Sequence, residues 1–276
     1  MKIIRIFPRK TKATPIDEGV RINQTPCLFD EADEVHISVT FTWDIPRAEY
    51  LFNQWKLAGF NVKIGGAAYN ERGGNFVSGM YLKKGYTITS RGCNNRCWFC
   101  SVPKREGNIL RELPIVEGWN ILDDNFLACS ENHKKAVFAM LKRQPQRPEF
   151  TGGLEAKILT LEDAKMLFEA KPKTMFFAYD TPEDYEPLIE AGKILQKAGF
   201  KREHQIARCY ILCGYKGDTF EEAEKRILQA CEAGFFPMAM LYRNFNGYYS
   251  KEWKHFQRGW AAHQIVATKI KKLNYE

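Results

Sequence analysis

No stretch of this chain holds the roughly 20 consecutive apolar residues that a membrane-spanning helix needs, so no membrane attachment of that kind is expected. No secretory pattern opens the chain, and a disulfide framework belongs to small secreted proteins, whereas this sequence has 276 residues and eight cysteines. A reducing compartment, by default the cytoplasm, is the expectation. No second Cys-x-x-Cys accompanies Cys97-x-x-Cys100, although structural zinc needs a second such pair or a His pair to complete its tetrahedron.

What is present concentrates in one stretch, Arg91-Gly92-Cys93-Asn94-Asn95-Arg96-Cys97-Trp98-Phe99-Cys100. A single cysteine in a strand is usually packing; three within eight residues of a polar Gly-Asn loop are not. Spaced x3 then x2 on a backbone free to curl, Cys93, Cys97 and Cys100 suit three corners of one metal cluster. The alternative is a non-catalytic iron-sulfur or zinc binding module using the same loop.

Cys-x3-Cys-x-aromatic-Cys, with Trp98 and Phe99 before the last cysteine, resembles the signature of the radical S-adenosylmethionine (SAM) superfamily. The resemblance implies a [4Fe-4S] cluster on Cys93, Cys97 and Cys100, with one iron left open for the amino and carboxylate groups of SAM. It also implies an enzyme that takes one electron from a reductant such as flavodoxin or ferredoxin. Reductive cleavage of SAM would then give a 5′-deoxyadenosyl radical that functionalises a C–H bond, with positioning and exclusion of water left to the protein.

From Tyr86 onward, short apolar runs alternate with amphipathic stretches, the pattern of repeated βα units on a parallel sheet. Strands are expected at 86–90, 118–122, around Phe150, at 175–179, 206–212 and 237–242, with helices at 131–143 and 183–198 and another ending at Ala233. Thr160-Leu161-Glu162-Asp163 has capping-box character, Asp218 and Thr219 cap a helix, and Gly199 suits a left-handed helix end. Six units fit an α/β fold with a partial (βα)6 TIM-like barrel over 81–247, as the resemblance also implies. A small βαβ-like segment over 1–80 precedes it and a basic C-terminal helix over 248–276 follows it.

Sites in such barrels lie at the C-terminal strand ends. The candidates for SAM contacts are therefore Asp124, Asn125, Glu155, Tyr179, Asp180, Gly214, Tyr215 and Arg243, with Asn244 beside the last. Gly152-Gly153-Leu154-Glu155 is loosely similar to the Gly-Gly-Glu that holds the SAM amino group in relatives, with a Leu interposed. Cys213-Gly214-Tyr215-Lys216-Gly217-Asp218-Thr219 resembles the fifth-strand exit of the superfamily, where backbone beside a glycine approaches adenine. No residue stands out as catalytic beyond the cluster ligands. Cys129 and Cys213 could face the chamber, but burial as small hydrophobes is expected of them and of Cys209.

In the N-terminal segment, strands at 35–41 and 61–64 flank a helix at 46–57 capped by Gly59, and the second strand runs into Gly65-Gly66. This is similar to the end of a cobalamin-binding Rossmann-like domain, but truncated. No Asp-x-His-x-x-Gly supplies a lower cobalt ligand, so cobalamin is not expected, and His36 reads as structural.

The net charge is +8. Basic residues gather at Arg5, Arg9, Lys10 and Lys12, at Lys104 and Arg105, and at Lys251, Lys254, Arg258, Lys269, Lys271 and Lys272 among Trp253, Phe256 and Trp260. Basic residues interleaved with aromatics suit nucleic acid, while an amphipathic helix packed by its aromatic face gives the same pattern. A nucleic acid, or a peptide or natural product, is the expected substrate class.

Overall fold

A computed structural model describes residues 1–273. The chain divides into two compact units, Met1–Gly118 and Trp119–Glu276. Among the described residues no helix is long and apolar enough to cross a membrane.

The first unit is built on a parallel sheet in which β1 (Ile3–Phe7) lies between β2 (Val20–Ile22) and β3 (Glu34–Ser38), with β4 (Val62–Gly65) outside β3. The βαβ unit expected at 35–64 is there, and α1 (Ile45–Leu57) makes the crossover. Ala48, Leu51 and Trp55, at helical spacing, bury against Ile4, Ile6, Val35, Ile37 and Val39. Strands β1 and β2 were not anticipated. Arg5 interrupts the apolar run of β1 yet is itself buried, donating to the carbonyls of Gly79 and Met80 and pairing with Asp17. His36 is structural in kind, with Nδ1 at 2.7 Å from the Tyr81 hydroxyl and Nε2 at 2.7 Å from Glu34.

Gly65-Gly66 has a local explanation. Gly66 has a φ of +113°, and a Cβ there would meet the Val39 carbonyl at 2.8 Å. Its N–H donates to Glu71 at 2.7 Å.

The strand expected at 86–90 is two short pieces, β5 (Tyr86–Thr87) and β6 (Ser90–Arg91). β6 pairs antiparallel with β7 (Arg111–Glu112), and α2 (Val102–Glu106) lies between them in sequence. The cysteine loop thus lies within a connection whose two ends are hydrogen-bonded to each other.

In the second unit five strands, β8 (Asn120–Ile121), β9 (Glu149–Phe150), β10 (Thr174–Ala178), β11 (Ala207–Cys213) and β12 (Phe236–Leu241), run parallel in sequence order. Helices α3 (Glu131–Leu141), α4 (Leu161–Ala170), α5 (Tyr185–Lys197) and α6 (Phe220–Glu232) fill the connections. The fold class is therefore α/β with parallel sheets. The expected starts hold: Thr160 and Asp163 form a reciprocal capping box, and Thr219 accepts from the Glu222 N–H. Gly199 has the left-handed φ of +108°.

The strands bury one face against the helices. Phe150 packs with Phe126 and with Phe138 of α3, and Phe177 packs with Phe235. Between α3 and α4, the buried Lys134 ammonium pairs with Asp163 at 2.6 Å. The single C-terminal helix expected at 248–276 is instead two, α7 (Lys251–Ala261) and α8 (His263–Leu273), broken where Ala262 turns extended. The side chains of Lys271 and Lys272 and residues 274–276 lie outside the described residues.

Candidate functional site

Gly92 enters the cysteine loop at a φ of +90°, and a Cβ there would run into the Ile109 carbonyl, so only glycine fits. The loop then winds tightly. Cys100 N–H donates to the Cys97 carbonyl at 3.0 Å. Asn95 N–H points at Cys93 Sγ and Val102 N–H at Cys100 Sγ, both at 3.4 Å. Backbone N–H groups aimed at sulfur stabilise thiolate and tune any metal it holds. Cys97 is exposed, Cys93 and Cys100 are half-buried, and Trp98 stands out at 58% exposure, edge-on to Phe99.

Glu106 holds this loop at its base. Its carboxylate is fully buried and takes Arg105 at 3.1 Å, Arg111 at 3.0 Å, Arg91 at 3.6 Å and the Gly73 N–H at 3.1 Å. Burial alone would raise its pKa, but the Gly73 N–H and the guanidinium groups outweigh that and hold the carboxyl below its ordinary value.

Among the described residues, no three His, Cys, Asp or Glu side chains form a group able to hold one metal ion. Three thiols on one tight loop, with backbone donors at two of them, are the type of donor that iron-sulfur clusters take.

In the second unit, the structure brings together Asn125, after β8, and Glu155, after β9. Asn125 Nδ2 donates to Glu155 Oε2 at 2.6 Å. Gly152 and Gly153 press on the backbone of the β8 exit: a Cβ on Gly152 would collide with the Asp123 carbonyl, and one on Gly153 would meet the Asp124 carbonyl at 3.1 Å. These glycines serve strand packing, and Glu155 keeps a carboxylate at the rim. Asp124 is half-buried beside them.

Tyr179 and Asp180 part company. Alternation along an extended strand sends neighbours to opposite faces. Tyr179 goes to the helix side, 2% exposed, stacked on Tyr185 and donating to Gln229 at 2.7 Å; it is a packing residue rather than a rim residue. Asp180 goes the other way and accepts the Leu212 N–H at 3.0 Å. Desolvation, with the neighbouring Asp184 charge adding to it, overcomes the Leu212 hydrogen bond and pushes its pKa up to about 6.

Gly214, with a φ of +78°, donates its N–H to Asp218 at 2.8 Å, and the buried Asp218 also holds Arg226 at 3.0 Å. Arg226 in turn donates to the Leu212 carbonyl. Asp218 therefore braces the exit turn instead of capping α6, a task that falls to Thr219. A Cβ on Gly214 would meet the Trp253 ring at 2.8 Å, so in this structure α7 covers the glycine at which adenine was expected to approach. Tyr215 lies under the Arg226 guanidinium at 5.6 Å, and Arg243 stacks on Tyr249 at 4.7 Å.

Of the other cysteines, Cys27 is exposed and the rest are packing groups. Cys129, Cys209 and Cys213 are buried. Desolvation raises the Cys209 thiol well up and takes Cys213 to about 12 and Cys231 to about 11, so all three are neutral thiols. Sequence reasoning missed Glu106 and Arg226, whose roles arise from residues scattered along the chain. The Arg-flanked loop was the only available signal for the first.

No protein-family model matches the chain, and no curated protein matches it.

Proposed function

We propose that this protein is a radical SAM enzyme with a partial (βα)6 TIM-like barrel, acting in the cytoplasm. The observation that carries the proposal is the Cys93, Cys97, Cys100 loop, with N–H donors at two of its sulfurs and the buried Glu106 hub at its base. Those three thiolates would hold a [4Fe-4S] cluster with one iron open to SAM. When bound and reduced by a one-electron donor such as flavodoxin or ferredoxin, cluster and SAM together supply a 5′-deoxyadenosyl radical.

The chain's own residues bind and orient. Glu155, fixed by Asn125, offers a carboxylate to the SAM ammonium. Asp180, anchored through one oxygen to the Leu212 N–H, offers an acceptor to a ribose hydroxyl and holds a proton below about pH 6. Asp124, Tyr215 and Arg243 complete the set drawn from the strand exits, while Gly214 leaves it because the Trp253 ring lies over it. Tyr179 leaves the set because its ring and hydroxyl are engaged in the helix layer.

Anaerobic reconstitution tests the ligand assignment. Iron and sulfide near four each per chain, lost together in Cys97→Ala, are expected. Stoichiometric zinc without sulfide would contradict it and favour a zinc module.

A further inference from the structure

The aromatic rings thought to interleave with lysines on the C-terminal helix are committed to packing. Trp253 and Phe256 cluster with Phe220, and Trp260 is buried with the Lys269 ammonium 4.0 Å over its ring. The two N-terminal arginines are also engaged, since the buried Arg5 holds carbonyls and Asp17 while the exposed Arg9 pairs with Asp44. Those features leave little for a nucleic acid to use.

The turn between β12 and α7 is different. Residues 242–249 read Tyr-Arg-Asn-Phe-Asn-Gly-Tyr-Tyr, without one aliphatic side chain. Asn244 pins the turn: its N–H donates to the Tyr248 carbonyl at 3.2 Å, its Oδ1 accepts the Tyr248 N–H at 2.9 Å, and its carbonyl accepts from Gly247 at 2.9 Å. On this fixed backbone Phe245 is 65% and Tyr248 70% exposed. Asn246 is exposed between them and exposed Lys251 follows. The turn begins just past the C-terminal end of β12, the same edge of the sheet that carries Glu155 and Asp180.

We propose that this turn is a stacking platform for single-stranded nucleic acid and that such a strand is the substrate of the enzyme, an inference that rests on the radical SAM reading for the chemistry alone. Exposed rings held on a rigid turn stack on bases with little ordering cost, amides reach base edges, and the exposed Lys251 meets a phosphate. The net charge of +8 favours a polyanion over a neutral peptide.

The test is fluorescence anisotropy of the reconstituted full chain with a labelled single-stranded uridine 12-mer, its thymidine counterpart and an unstructured peptide, without SAM or reductant. Both oligonucleotides are expected to bind with salt-dependent affinity, weakened at least tenfold in the Phe245→Ala/Tyr248→Ala double variant and retained in Phe245→Trp. Lys251→Glu is expected to weaken binding and flatten the salt dependence. Absence of wild-type binding at low salt, unchanged affinity in the double variant, or preference for the peptide would overturn the platform. A protein that binds the oligonucleotides but never cleaves SAM keeps the platform and loses the radical reading. One that cleaves SAM without binding them does the reverse.

Discussion

Glu106 is the residue on which the cysteine loop depends most, because one buried carboxylate ties the strand before the loop, the helix after it and the strand beyond to a single point. Removing one partner of a buried charge network leaves the others uncompensated, at a cost of about 3–5 kcal/mol. Glu106→Gln is therefore expected to lower the urea stability of the metal-free chain by about that amount at pH 7. The folded carboxyl titrates below its unfolded value. Its contribution is thus complete above about pH 4, the unfolded carboxylate range, and is lost as pH falls through the folded pKa; the gap to wild type should narrow by pH 3. An equal gap at both pH values would contradict the assignment. Nothing in the sequence singles Glu106 out among 33 acidic residues, whereas three cysteines in eight residues are legible at once. Tyr179 and Asp180 differ by one step along the chain, so a strand-exit list took both, although the pleat can send only one to the open face.

At the scale of elements, most of the second unit was readable because each strand is bounded by a turn and each helix by a cap that works locally. Thr160 with Asp163 and Thr219 with Glu222 are complete within four residues of sequence. Strands β1 and β2 escaped because a buried arginine in β1 breaks its apolar run and β2 has only three residues. The break between α7 and α8 carries no Pro or Gly to mark it. Gly152-Gly153 shows a motif-like pair serving packing: Gly152 lets the β9 exit lie on the backbone of the β8 exit. Gly152→Ala must displace that backbone and is expected to cost about 1–3 kcal/mol, read as a lowered melting temperature. A neutral Gly152→Ala would mean that the two exits are not in contact.

For the whole molecule, composition excluded a membrane-spanning helix, and alternating runs gave an α/β class with parallel strands. The distribution of charge misled, because formal charge counts every arginine alike. Arg5 and Arg226 are engaged inside, Arg9 is paired with Asp44, and basic residues among aromatics on α7 are the outer side of a packed helix. Substrate choice depends on which rings remain exposed after folding, and that is a property of packing.

Radical generation is the central claim, and it is tested most directly by incubating the reduced, reconstituted protein with SAM and measuring 5′-deoxyadenosine by mass spectrometry. Wild type is expected to form 5′-deoxyadenosine and Cys97→Ala none. A wild-type protein that carries an intact cluster and still releases no 5′-deoxyadenosine would contradict the account.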